Sequence, residues 1–199
     1  MSYDILCFKH CNSKSIFCKT IPEKCPICNI KLINLSIEPF LLPYCCTKAT
    51  NNPTSIVLKP SHGSFCNDYN ITNDMHIGLV NSQCQLYEYD HRGITHNNFN
   101  DWSDCIVIND LIPESWYYHW DEVLSQLVIN PIWSSSNYNP ASFNCYNFII
   151  EFLKLLNYNN LKFIDKEHVF NEFFLPKLRY TLKYIYIYRK LKNNCCYIA

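Results

Sequence analysis

Two strand-like runs joined by a short polar turn occupy residues 75–93, and that hairpin commits the chain to a sheet. His76-Ile-Gly-Leu-Val80 is followed by Asn81-Ser82, then by Gln85-Leu-Tyr-Glu-Tyr89 and Arg92-Gly93. Branched and aromatic residues bounded by Asn, Ser and Gly form the pattern of an antiparallel pair. Further strands are predicted at Ser55-Ile-Val-Leu58, at Asp104-Cys-Ile-Val-Ile108 and, shorter, at Ser15-Ile16-Phe17. Downstream the period changes. Trp116, Trp120, Val123, Leu124 and Leu127 share one face between Pro113 and Val128; Phe148, Ile149, Phe152, Leu155 and Leu156 share one face between Phe143 and Leu156. Apolar residues at this spacing predict amphipathic helices. Lys166 to Phe174 and Leu178 to Lys192 read as two more helices divided at Pro176, and Cys195 to Ile198 as a last strand. Strands first and helices after them give an α+β fold.

A chain of 199 residues that is 48% hydrophobic, with only 3 Gly, has material for one core plus a small appendage. Lys plus Arg and Asp plus Glu number 17 each, so no net field draws the whole chain to nucleic acid or anionic lipid. The basic and aromatic run from Arg179 to Lys192 does not change this, because Tyr184, Ile187, Tyr188 and Leu191 recur at core spacing. Nucleic acid is therefore not expected as a partner, and a protein partner or protein substrate is. The chain opens without a basic and apolar leader pattern. No apolar run reaches the length of about 18 residues that a spanning helix needs. A cytoplasmic location follows as the expectation, with the 13 Cys mostly reduced and available for metal or chemistry.

Five Cys and a His crowd residues 1–38, which read as a small zinc-knuckle-like segment ahead of an α+β domain at 39–199; Pro39, Pro43, Pro53 and Pro60 mark the irregular stretch after the boundary. Cys25-Pro-Ile-Cys28 is the strongest local motif, since a two-residue gap lets both thiolates of a tight turn face one ion. The other ligands must come from Cys7, His10, Cys11 or Cys18. Four protein ligands would leave no open position, so the expected ion is a structural zinc.

Cys145 stands where the polar loop from Ser134 to Pro140 gives way to an apolar-faced helix. A thiol in the first turn of a helix meets the positive end of the macrodipole and unpaired backbone donors, which favour a thiolate and can hold an oxyanion. His76 opens its strand, where an imidazole can lean over the helix start and serve as the base. Tyr87, Tyr89 and His91 are the candidates for the group that orients it.

Asp74-Met-His-Ile-Gly-Leu-Val80, Leu86-Tyr-Glu-Tyr89, Gly93 and Asn144-Cys-Tyr-Asn-Phe148 resemble the His-then-Cys order of circularly permuted papain-like proteins, the PPPDE/DeSI thiol isopeptidases and the lecithin:retinol acyltransferase group. The resemblance implies a permuted papain-like core and thiol hydrolase or acyltransferase chemistry by Cys145 and His76. More of the chain, including His10-Cys11, Cys25 to Cys28, Lys59-Pro-Ser-His-Gly-Ser-Phe65 and Asn144-Cys145-Tyr146, resembles the makorin opposite-strand protein family. That resemblance implies His10, Cys11, Cys25 and Cys28 as the metal ligands, and no settled activity. It leaves a non-catalytic interaction module as the alternative. Cys196-Tyr-Ile-Ala199 also fits a prenylation box, so a membrane is an expected partner only if Cys196 carries a lipid.

Overall fold

The computed structural model describes residues 4–11, 14–33, 35, 38–96, 102–159, 161 and 165–199. In chain order the strands are β1 (Leu6–Phe8), β2 (Ile16–Cys18), β3 (Phe40–Leu41), β4 (Ser55–Pro60), β5 (Met75–Val80), β6 (Leu86–Asp90), β7 (Gly93–His96), β8 (Ile106–Ile108) and β9 (Cys196–Ile198). The α-helices are α1 (Tyr117–Val128), α2 (Cys145–Leu156), α3 (Lys166–His168) and α4 (Leu175–Asn193). The α+β expectation is met. Contacts divide the chain into two compact units, one formed by Met1–Cys45 with Tyr180–Ala199 and the other by Cys46–Arg179.

In the first unit four short strands make a sheet in the order β3-β1-β2-β9, antiparallel throughout. One face buries Phe8, Ile16, Cys18 and Cys25, with Leu6, Leu32 and Cys196 packed around them. The predicted last strand thus exists, paired to β2. From α4 the buried residues include Tyr184, Tyr188 and Leu191, as their spacing implies.

The second unit is built on an antiparallel sheet in the order β7-β6-β5-β4-β8. Ala49, Val57, Val80, Leu86, Trp102 and Cys105 form a core cluster. Helix α2 packs on β5 and β6, and α1 packs on α2. Trp120 of α1 meets Phe152 edge to face at 4.5 Å, and its Nε1–H donates to the Val80 carbonyl at 3.1 Å.

One element departs from the sequence reading. Helical structure does not divide at Pro176: α3 runs into a π-helical stretch, Val169–Phe174, and then directly into α4. Pro176 comes just after the π-helical turns, whose wider hydrogen bonding shifts the register at the point where the proline has no N–H to give. Among the described residues no helix is long and apolar enough to cross a membrane.

Candidate active site and metal cluster

Strand β5 begins one residue before His76, so the imidazole stands at a strand end with room to turn toward a neighbouring element. Its Nε2 lies 2.8 Å from Glu88 Oε2 on β6, and its other side-chain hydrogen bond is to Cys145. Glu88 takes Nε2, which leaves Nδ1 as the ring nitrogen for the thiol. A Cys–His–Glu chain results. His76 stacks obliquely near Trp102, with ring centres 5.7 Å apart.

Glu88 is 3% exposed, and its carboxylate is fully engaged. Trp102 Nε1–H donates to the same Oε2 at 3.1 Å, and Thr95 Oγ1 donates to Oε1 at 3.2 Å. Burial opposes its charge, but the bonds from His76 and Trp102 and the charge of Lys59 prevail and hold its pKa below the ordinary value. At His76 burial likewise opposes the cation, yet hydrogen bonds to Cys145 and Glu88 outweigh it and push the pKa up to about 9. Gly78 makes this arrangement possible: a Cβ there would lie 3.3 Å from the Trp102 ring and 3.1 Å from the Tyr87 carbonyl oxygen.

Cys145 is the first residue of α2. A reciprocal cap fixes the helix start, with the Tyr146 N–H donating to Asn144 Oδ1 and the Asn144 N–H donating to Asn147 Oδ1, each at 3.0 Å. Asn144 Nδ2 donates in turn to the Pro140 carbonyl at 2.7 Å, tying the cap to the preceding loop. The Cys145 N–H has no backbone or side-chain acceptor among the described residues. His76 and Cys145 both line a pocket of about 320 Å³, together with Asp74, Tyr138, Tyr146 and Lys166.

The three orienting candidates lie elsewhere. Tyr87 stacks on His96 and donates from its hydroxyl to Gln85; Tyr89 is buried and donates to the Ser134 carbonyl; His91 is exposed beside Asp90. Sequence reasoning therefore missed Glu88.

In the first unit, the ligand atoms of His10, Cys11, Cys25 and Cys28 all lie within 4.8 Å of one another. The Cys11 and Cys25 sulfurs are 3.8 Å apart, and Cys28 Sγ is 3.4 Å from His10 Nδ1. The Ile27 N–H points at Cys25 Sγ from 3.4 Å. For Cys25, burial opposes the thiolate, but the Cys28 and Ile27 amides and the neighbouring thiols bring its pKa down to about 6. For Cys11, desolvation and the two neighbouring sulfurs raise it to about 11. This soft donor set could hold a metal ion. Cys7 and Cys18, which the sequence left as alternatives, are not among the four.

Residues 39–191 match the family described as DUF4796 C-terminal, and residues 3–32 the family described as DUF4796 N-terminal. The chain is also similar to the MKRN2 opposite strand protein of Homo sapiens, with 25% identity over 197 residues that cover 96% of this chain and 87% of that protein. This chain belongs to the makorin opposite-strand protein family. No solved structure matches it. In this makorin opposite-strand chain the stretch matched by the N-terminal family holds all four residues of the metal cluster, and the stretch matched by the C-terminal family holds His76, Glu88 and Cys145.

Proposed function

We propose that this chain is a thiol hydrolase or acyl-transfer enzyme of papain-like fold, acting on a peptide, isopeptide or acyl bond of a protein substrate. The observation that carries the reading is the chain of contacts from Cys145 through His76 to Glu88 at the wall of a pocket. Cys145 attacks the carbonyl carbon as thiolate, with the proton held on His76. The Cys145 N–H at the helix start faces the tetrahedral oxygen. Collapse expels the leaving amine or alcohol, which takes the proton from His76, and water or a second nucleophile releases the acyl group from sulfur. Glu88 keeps the imidazole oriented and stabilises its charged form. A Cys at a helix start packed on an antiparallel sheet, with its His earlier in the chain, supports the permuted papain-like topology.

An acyl-mimicking, thiol-directed probe tests the reading. It should label Cys145, with labelling lost in Cys145→Ser, reduced in His76→Ala and unchanged in Cys84→Ser. Absence of labelling at Cys145 in the folded protein overturns it. The second reading, an interaction module without activity, is favoured by the thiol's 5% exposure. Lipid anchoring of that module through Cys196 would require β9 to leave β2.

The four-residue cluster suits structural zinc. Two thiolates about 2.3 Å from a tetrahedral ion lie about 3.8 Å apart, and a thiolate and an imidazole nitrogen about 3.5 Å apart; the sulfur pair here is at 3.8 Å and the sulfur–nitrogen pair at 3.4 Å. His10, Cys11, Cys25 and Cys28 would fill every position, so the ion staples the first unit. That all thirteen cysteines are free supports a cytoplasmic setting.

A further inference from the structure

Cys18 and Cys196 take no part in the metal cluster or in the Cys145 site. They stand directly opposite each other in the antiparallel pair of β2 and β9. Three steps along that ladder, Ser15 and Ala199 exchange both backbone hydrogen bonds, each at 3.0 Å. Hydrogen-bonded and non-hydrogen-bonded pairs alternate along an antiparallel ladder. With Ile16 opposite Ile198 and Phe17 opposite Tyr197, the alternation makes Cys18 and Cys196 a non-hydrogen-bonded pair. In such pairs the Cα atoms are about 4.5 Å apart and the two side chains leave the same face close together. That spacing falls within the range of about 4.4 to 6.8 Å that a disulfide bridges. Cys18 belongs to a buried cluster with Phe8, Ile16 and Cys25, and the half-buried Cys196 packs against that cluster.

We propose that Cys18 and Cys196 form a reversible cross-strand disulfide that fastens the C-terminal strand to the N-terminal sheet. Cys18 is fully buried and Cys196 half-buried, so Cys196 meets the oxidant first. A low-molecular-weight disulfide supplies the oxidising equivalent. The Cys196 thiolate displaces one thiolate from it and forms a mixed disulfide; the Cys18 thiolate then attacks the Cys196 sulfur and expels the second. Two protein thiols become one disulfide, the reagent becomes two thiols, and the two protons lost by the cysteines go to those thiols. The thiolate is the attacking species in both steps, so the exchange quickens as pH rises. The device acts where it is needed. Strand β9 is a three-residue edge strand with β2 as its one partner in the sheet, and the new bond joins positions far apart in sequence.

The test is to incubate the full chain with oxidised glutathione and map its peptides without reduction. The expected result is a cross-linked pair containing Cys18 and Cys196, lighter by two hydrogens and separated by dithiothreitol. It should persist in Cys195→Ser and be absent in Cys196→Ser. Amide exchange at Tyr197 and Ala199 should slow on oxidation and recover on reduction. A dominant link from Cys196 to Cys195 or Cys25, or glutathione left on Cys196 with Cys18 still free, overturns the proposal. Neither outcome bears on Cys145, whose labelling is read separately.

Discussion

His76 is held between two acidic partners, and its protonation sets what the site can do at a given pH. Its folded pKa of about 9 lies above the ordinary histidine value of 6.5, so folding favours the proton. The resulting stabilisation is fully present below about pH 6.5 and is lost as pH rises through about 9. Glu88 works in the opposite sense: its lowered pKa stabilises the fold above the ordinary carboxylate range and that contribution disappears as pH falls. Thermal unfolding followed from pH 6 to pH 10 should therefore show a fall in Tm across the alkaline limb, and His76→Ala should flatten that limb; an unchanged slope in the variant would place the titration elsewhere. Glu88→Ala removes one member of a buried charged pair and should cost about 3–5 kcal/mol in denaturant unfolding, of which a surface pair would account for at most about 1. Gly78→Ala is the subtler change. The added methyl presses on the Trp102 ring, so the variant should fold but lose the Trp102 to Glu88 bond, seen as a shifted indole N–H resonance with slower alkylation of Cys145.

Helix α2 delivers the thiol, and its start depends on the cap. Asn144→Ala removes an N-cap worth about 1 kcal/mol and releases the loop that Asn144 ties through Pro140. A drop of that size in unfolding free energy, together with a slower reaction of Cys145 with iodoacetamide, is expected; loss of stability with an unchanged alkylation rate would separate the cap from the chemistry. At this scale much was legible, because α2, α1 and the β5–β6 hairpin follow from periodicity and turn residues. The face of the hairpin was not. A two-residue turn at Asn81-Ser82 would set His76 opposite Tyr87. The observed turn takes up residues 81–85, with Val80 paired to Leu86 and Gly78 to Glu88. Asn81 Oδ1 accepts from the N–H groups of Gln83 and Gln85, and Cys84 adopts a φ of 61° to close it. Changing loop length from even to odd flips every side chain of β6 to the other face, so Glu88 joins His76 and the tyrosines turn away. A buried glutamate in a strand is rare enough that composition gave no hint of it.

For the whole molecule, neutrality is a sum that neither unit shares. Residues 1–45 and 180–199 carry nine Lys and Arg against three Asp and Glu, and residues 46–179 carry eight against fourteen, so the units stand at +6 and −6. The total of zero hid this because the basic residues at the two ends of the chain belong to one unit, which no local pattern discloses. The ligand motif was legible at Cys25 and Cys28, where spacing dictates the chemistry, and not at its other half, where Cys7, His10, Cys11 and Cys18 all stood as candidates. The charge asymmetry bears on the metal. A divalent ion with three thiolates and one neutral imidazole leaves a single negative charge, and a unit at +6 favours that charge and the thiolates that make it. About one zinc per chain is expected in the purified protein, falling in Cys25→Ser and Cys28→Ser, with release promoted by acid as the thiolates regain protons. All four Trp lie between residues 46 and 179, so their fluorescence reports the second unit alone. Chelation should therefore leave the tryptophan emission in place while amide exchange in β1 and β2 accelerates, the outcome that the proposed structural role of the ion requires of a short sheet with a small core. Unchanged exchange in β1 and β2 after the metal is gone would mean that packing around Phe8 and Ile16 suffices, and the cluster would then have to be read as a site for a transient ion rather than a staple.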